Sequence, residues 1–206
     1  LKLVQGVNTI VDEDANDSNI GLGAITWIGS LGVFNINVAT GLSKPILGSP
    51  SLAEMDLNSV NTSNTAGTIE IWLTDTGFDI GAYSQPYTMT ASIGGTTQGT
   101  TSFNKWYSPN NVAWDTGPST TMLGMTFTDP AFSGSVSTVI DNSWRAGIPF
   151  QFALTDKVTI THGSGRRVTS FDANDTLMPV PEPSTLLLLG VGTLGISIIS
   201  YRKVRN

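Results

Sequence analysis

Thr68-Ile69-Glu70-Ile71-Trp72-Leu73-Thr74 alternates residue by residue: Ile69, Ile71 and Leu73 form one side, Glu70, Trp72 and Thr74 the other. A period of two with one apolar face is the pattern of a half-buried antiparallel strand. The same alternation recurs at Phe34, Ile36 and Val38; at Met89, Ala91 and Ile93; and at Leu123, Met125 and Phe127. It recurs again at Phe150, Phe152 and Leu154, and at Val158 and Ile160. Turn-forming residues punctuate these runs at Ser49-Pro50, Gly94-Gly95, Ser108-Pro109-Asn110-Asn111, Gly117-Pro118, Asp129-Pro130 and His162-Gly163-Ser164-Gly165. Nine or ten strands are expected, with no sustained helical period before the C-terminal tail and no repeat of fixed length. The economical fold over residues 1–178 is an all-β, antiparallel two-sheet sandwich of jelly-roll type.

Composition agrees. Only 13% of the 206 residues are charged, about half the usual share. The chain has no cysteine, which excludes disulfides and Cys-ligated metal sites. Residues 1–180 carry a net charge of −8 and residues 181–206 one of +2. An acidic domain with Arg166-Arg167 as its one close basic pair argues against a nucleic-acid partner, since phosphate contact needs clustered Lys and Arg.

Residues 179–206 read differently. Val180-Pro181-Glu182-Pro183-Ser184-Thr185 is held extended by its prolines. Residues 184–201 carry no charge. As a helix they span roughly 27 Å, short but sufficient for a hydrocarbon core of about 30 Å. Arg202, Lys203 and Arg205 follow at once, and the positive-inside rule sets them in the cytoplasm, with residues 1–178 outside the inner membrane. The alternative is a C-terminal helix packed inside a soluble fold, but only Thr193, Ser197 and Ser200 break the apolar run. A lipid-attachment signal of the GPI kind would end in apolar residues, and no Leu-Pro-x-Thr-Gly sortase motif is present. The chain begins with Leu1, without a basic and apolar leader; a signal peptide removed on export is the expectation that goes with this tail.

The order of Pro181-Glu182-Pro183, a Leu-rich and Gly-containing span, and an Arg-rich end resembles the PEP-CTERM sorting signals of Gram-negative bacteria. The resemblance covers about 26 residues at the extreme C-terminus. It implies recognition of Pro181, Glu182 and Pro183 by an exosortase, a membrane transpeptidase. It also implies a precursor held transiently in the inner membrane and a destination in the cell envelope or an exopolysaccharide matrix.

Within the β domain several residues invite chemistry. Asp12, Asp14 and Asn16 offer oxygen ligands at alternate positions, which suits calcium. The spacing is not that of an EF-hand, because Asp17 stands where Gly is required and Gly23 where the bidentate Glu belongs; a solvated acidic loop is the alternative, and no cofactor is required. His162 is the single histidine and would have to serve any Ser-His-Asp triad, yet no Gly-x-Ser-x-Gly elbow supplies a nucleophile. It is expected at a turn. Glu13, Glu54 and Glu70 show no spacing that marks a glycosidase acid and base. Gly94 to Gly99 lacks the Lys of a phosphate loop and reads as a hairpin. Trp106, Tyr107 and Trp114 flank Ser108-Pro109-Asn110-Asn111 and are read as loop aromatics able to stack on sugar rings; filling the core is the alternative. Three functions follow in order: a non-enzymatic structural protein sorted to the surface or matrix, a carbohydrate-binding module, and a secreted hydrolase.

Overall fold

The computed structural model describes residues 1–10, 16–79, 86–141 and 151–180. The expected span 184–201, the motif 181–183 and the basic tail 202–206 lie outside the described residues, as do Asp12, Asp14 and Phe150. Among the described residues no helix is long and apolar enough to cross a membrane.

Twelve strands occur among the described residues: β1 Lys2–Gln5, β2 Val7–Ile10, β3 Ala24–Leu31, β4 Phe34–Leu42, β5 Ala53–Ser63, β6 Gly67–Asp79, β7 Tyr87–Thr97, β8 Gly99–Ser108, β9 Thr121–Phe127, β10 Ala131–Ile140, β11 Gln151–His162 and β12 Arg167–Pro179. They form two six-stranded antiparallel sheets, one ordered β2-β1-β6-β11-β8-β9 and the other β10-β7-β12-β5-β4-β3. From β5 onward the chain changes sheet at every connection except the β8–β9 hairpin. The eight strands so wound form two four-stranded layers, β6-β11-β8-β9 over β10-β7-β12-β5, in jelly-roll order. The β1–β2 and β3–β4 hairpins each widen one layer.

The alternating residues behave as period-two burial requires. Ile69, Ile71 and Leu73 of β6 point inward with Val158 and Ile160 of β11 and Phe103 of β8. Met55, Leu57, Met89, Ile93 and Phe171 meet them from the other sheet. Burying each such side chain contributes roughly 1.5–3 kcal/mol. Phe152 and Leu154 of the one run and Val158 and Ile160 of the next belong to a single strand, β11, whose pairing with β6 shifts between Phe152 and Leu154. A bulge of this kind interrupts the period without ending the strand.

Two turn expectations are corrected. Gly94 and Gly95 lie inside β7, not at a reversal. A Cβ on Gly95 would stand 2.1 Å from the Ser170 carbonyl oxygen and 3.1 Å from the Phe132 ring, so glycine there serves close strand approach. Trp106 and Tyr107 likewise stand in β8, not in the loop beyond it.

Candidate functional site: an aromatic and cationic patch on one sheet

Strand parity assembles a cluster on the outer face of the β6-β11-β8 layer. Lys2 pairs with Trp72, Trp72 with Lys157, and Lys157 with Asn104, so these four side chains share that face. Two residues along, Thr74, Thr155 and Trp106 form the adjoining row. The Trp72 and Trp106 rings stack across β11 with centroids 5.9 Å apart and planes 14° from parallel. Lys2 Nζ lies 4.2 Å from the Trp72 centroid and 4.7 Å from that of Trp114. Lys157 Nζ lies 4.8 Å from Trp72 and 5.7 Å from Trp106. Each cation on a ring face is worth about 0.5–1 kcal/mol at an exposed site.

Glu70 completes the group. Its Oε2 accepts a 3.0 Å hydrogen bond from Trp72 Nε1, and its Oε1 stands 3.5 Å from Lys157 Nζ. Burial lowers the Lys2 pKa; Glu70 works against that shift and Lys157 adds to it. Trp114 reaches the patch from the β8–β9 connection, with φ at 61° and its N–H 3.4 Å from Thr74 Oγ1. Asp115 holds that loop in shape, accepting from Ser108 Oγ at 2.7 Å and from the Gly117 N–H at 2.9 Å.

Of the three aromatics singled out in the sequence, Trp106 and Trp114 therefore come to one surface and Tyr107 does not. Tyr107 points the other way from its neighbour in β8, is 3% exposed, and packs on Phe152 at 5.2 Å inside the core. Trp106 itself is only 7% exposed, its ring covered by Trp72 and Lys157. Trp72 was not singled out. Its position opposite the Ile69, Ile71 and Leu73 stripe was the available signal, because an aromatic on the polar side of a strand covers surface instead of core.

His162 is the last residue of β11 and is buried, not set in the turn. Its Nδ1 lies 2.8 Å from Ser63 Oγ and its Nε2 2.8 Å from Thr169 Oγ1, which in turn meets Thr97 Oγ1 at 2.8 Å. Burial lowers its pKa, and Arg167 adds to the shift. Both ring nitrogens are committed to hydroxyls, with no carboxylate in the chain of contacts, which is not the arrangement of a general base.

Asn16 and Asp17 lie beside β3. Asp17 Oδ1 accepts from the Asn19 and Thr26 N–H groups, each at 2.8 Å, so this carboxylate shapes a turn. Among the described residues no three His, Asp or Glu side chains are grouped to hold a metal ion. A cleft of about 350 Å³ opens elsewhere, between Leu22, Gly41, Lys44 and Asp75. Lys44 Nζ and Asp75 Oδ2 pair there at 2.7 Å, and Ser43 Oγ donates to the same oxygen at 2.5 Å.

A second charged cluster is internal. Lys105 of β8, Asp156 of β11 and Asp175 of β12 all point between the sheets and are 0%, 0% and 1% exposed. Lys105 Nζ is in direct contact with Asp175 Oδ2 and 3.9 Å from Asp156 Oδ1. Burial pushes the Lys105 pKa down to about 8, with Asp156 pulling against the shift. Burial also pushes Asp156 up to about 6, Lys105 opposing and Asp56 adding to the rise.

Fold and surface thus define an all-β two-sheet sandwich. The chain further carries the PEP-CTERM protein-sorting motif, whose family profile matches residues 179–203. That motif marks an exported protein sorted through an exosortase. No curated protein matches the chain. Among solved structures, TmCBM61 in complex with β-1,4-galactotriose is similar at 7% identity and TM-score 0.33, over 74% of this chain and 92% of that one. A CBM4 structure is similar at 11% identity and TM-score 0.30, over 82% of this chain and 92% of the other. The enzymatically active domain of bacteriophage CBA120 tailspike protein 4 is similar at 8% identity and TM-score 0.31, over 77% of this chain and 20% of that one. Likeness at this level says nothing of ligand or activity.

Proposed function

We infer that this chain is a non-enzymatic protein of the cell surface or extracellular matrix, carried there by its C-terminal signal. The observation that carries the reading is the position of the sorting motif. It begins at residue 179, where β12 ends, and the Val180 N–H still bonds the Pro86 carbonyl at 3.0 Å. No separate module stands between sandwich and signal. Residues 184–201 would hold the precursor in the inner membrane, with Arg202, Lys203 and Arg205 on the cytoplasmic side, until an exosortase acts at Pro181-Glu182-Pro183. Replacing those three residues by alanine in an exosortase-bearing host should leave full-length precursor in the inner-membrane fraction. Normal processing of that variant would refute the assignment.

A second reading is favoured by the outer patch. Trp72 and Trp114, with Lys2 and Lys157 beside them, present ring surface and positive charge on an otherwise acidic domain. Such a surface suits a polysaccharide bearing carboxylates: rings stack on sugars and ammonium groups meet the acid. Binding of the host exopolysaccharide that is lost in both Trp72→Ala and Trp114→Ala supports this reading. Unchanged binding in the two variants removes it and leaves the structural role. Calcium at Asp12, Asp14 and Asn16 is tested by calorimetry; no heat and no shift in melting temperature at millimolar calcium discards that site.

A further inference from the structure

The internal cluster has a geometry that ordinary stabilisation does not account for. Asp156 and Lys105 are direct partners across the β11–β8 ladder, and Asp175 comes from the opposite sheet. The flanking residues in register are apolar: Leu73 beside Asp156, Leu123 beside Lys105, Met55 and Ala91 beside Asp175. Three ionised groups here would leave one uncompensated negative charge in a dry interior, and buried pairs recover their desolvation cost only with full hydrogen bonding. That bonding is missing. Apart from their contact with each other, Lys105 Nζ and Asp175 Oδ2 have no hydrogen-bond partner, and neither has either carboxyl oxygen of Asp156, while Asp175 Oδ1 accepts from the Met55 N–H at 2.8 Å. The Met55 N–H thus fixes the Asp175 carboxyl with its other oxygen turned to the lysine.

We propose that Lys105 and Asp175 condense into an intramolecular isopeptide bond, with Asp156 as the proton carrier, so that β8 and β12 are joined covalently across the sandwich. The reaction needs no outside reagent. Proton transfer between the contacting groups gives a neutral Lys105 amine and a protonated Asp175 carboxyl. Nζ attacks Asp175 Cγ and a C–N bond forms. Asp156, protonated, gives its proton to the departing Asp175 oxygen, which leaves as water, and then takes a proton from the nitrogen. The products are an amide, one water and Asp156 restored. Burial favours the uncharged amine and the protonated Asp156 that these steps use. Condensation of an amine with an acid is unfavourable in bulk water, but effective molarities of about 10⁵–10⁸ M are available to groups held in reacting geometry. It also replaces buried charges by an amide whose N–H can reach Asp156, which removes the unsatisfied groups.

The test is the intact mass of the purified, denatured full chain, followed by tryptic mapping with tandem fragmentation. The expected mass is one water below that of the sequence, with no cleavage after Lys105 and a branched peptide joining Lys105 to Asp175. Asp156→Ala is expected at the full mass, with circular dichroism reporting whether its β structure is kept. The wild-type map decides the matter even where that variant fails to fold. A wild-type chain at full mass overturns the bond, as does a water loss confined to one linear peptide, the signature of an aspartyl succinimide. An Asp156→Ala chain that is fully cross-linked overturns the role of Asp156.

Discussion

Replacing His162 by leucine isolates the buried hydroxyl chain from the rest of the fold, because the volume is roughly kept while both ring nitrogens are lost. Two hydrogen bonds of 2.8 Å disappear, to Ser63 Oγ and Thr169 Oγ1. Each is worth about 1 kcal/mol net, and a hydroxyl left unpaired in the interior costs about 1–3 kcal/mol more. Thr169 keeps Thr97, so the orphaned group is Ser63. The tilted contact with Phe34, at 5.1 Å, is partly replaced by aliphatic packing. The expected loss is about 3–5 kcal/mol, a large share of the 5–15 kcal/mol typical of a domain. The loss should depend on pH. The folded His162 pKa is depressed, so its contribution is complete above the unfolded value of about 6.5 and falls as pH drops below it. Asp156 and Asp56, both raised to about 6, slope the other way across roughly pH 4–6. The informative quantity is therefore the difference between wild type and variant, in which those carboxyls cancel. Urea unfolding followed by tryptophan fluorescence at pH 7.5 and pH 5 measures it. The gap should narrow on acidification, by at most about 1.4 kcal/mol per pH unit. A gap that is constant or widens would show that His162 is not held neutral by these hydroxyls, and the reading of it as a structural residue would fail.

The other predictions concern strand approach, the patch and the second sheet. Gly95→Ala should destabilise the fold at the upper end of the roughly 1–3 kcal/mol seen for overpacking, since its Cβ would meet backbone at 2.1 Å. Gly94→Ala, with nothing nearer than 3.7 Å, should cost far less in the same calorimetric melt. Trp72→Ala removes a stacked ring and two cation contacts, so a loss of about 2 kcal/mol and a changed Trp106 emission are expected. Asp172→Asn should lower the Asp56 pKa from about 6, as read by carboxyl NMR, because Asp172 adds to the rise that burial begins. It should stay above 3.8, burial being the larger cause, and the domain should gain stability above pH 6, where the raised acid is otherwise a cost.

Strands were legible where the inward positions are apolar. β4, β6, β7, β9 and β11 carry Phe, Ile, Leu, Met or Val at alternate places. β5 has the same period in its burial, but Ser59, Asn61 and Ser63 occupy its later inward positions, so the hydrophobic signal stops after Leu57. Lys105 interrupts β8 and Asp175 interrupts β12 for the same reason. A polar residue facing inward is invisible to a pattern that equates inside with apolar. The partners that make its burial tolerable lie far along the chain, as Met55 does from Asp175. The patch was half legible. Trp106 and Trp114 were found by residue type, but Tyr107 was misplaced because adjacent strand residues face opposite sides, and reading Trp106-Tyr107 as loop concealed that alternation.

The same polar interior gives the C-terminal signal its mechanical context. β12 lies between β7 and β5, paired along nearly its whole length on both sides, and the sorting motif starts at its last residue. A pull on the tail would load β12 along its axis, so both ladders resist in shear and many hydrogen bonds share the force. Pulling at an edge strand such as β10 or β3 would meet one ladder only. Asp175 stands four residues before the end of β12 and faces the other sheet. A bond from there to Lys105 would deliver the load to β8 before most of the β12 ladders bear it, so that extraction of β12 would require both layers to open together. For a domain attached through this strand, the cross-link would therefore sit near the point of attachment, where it protects the largest part of the sandwich.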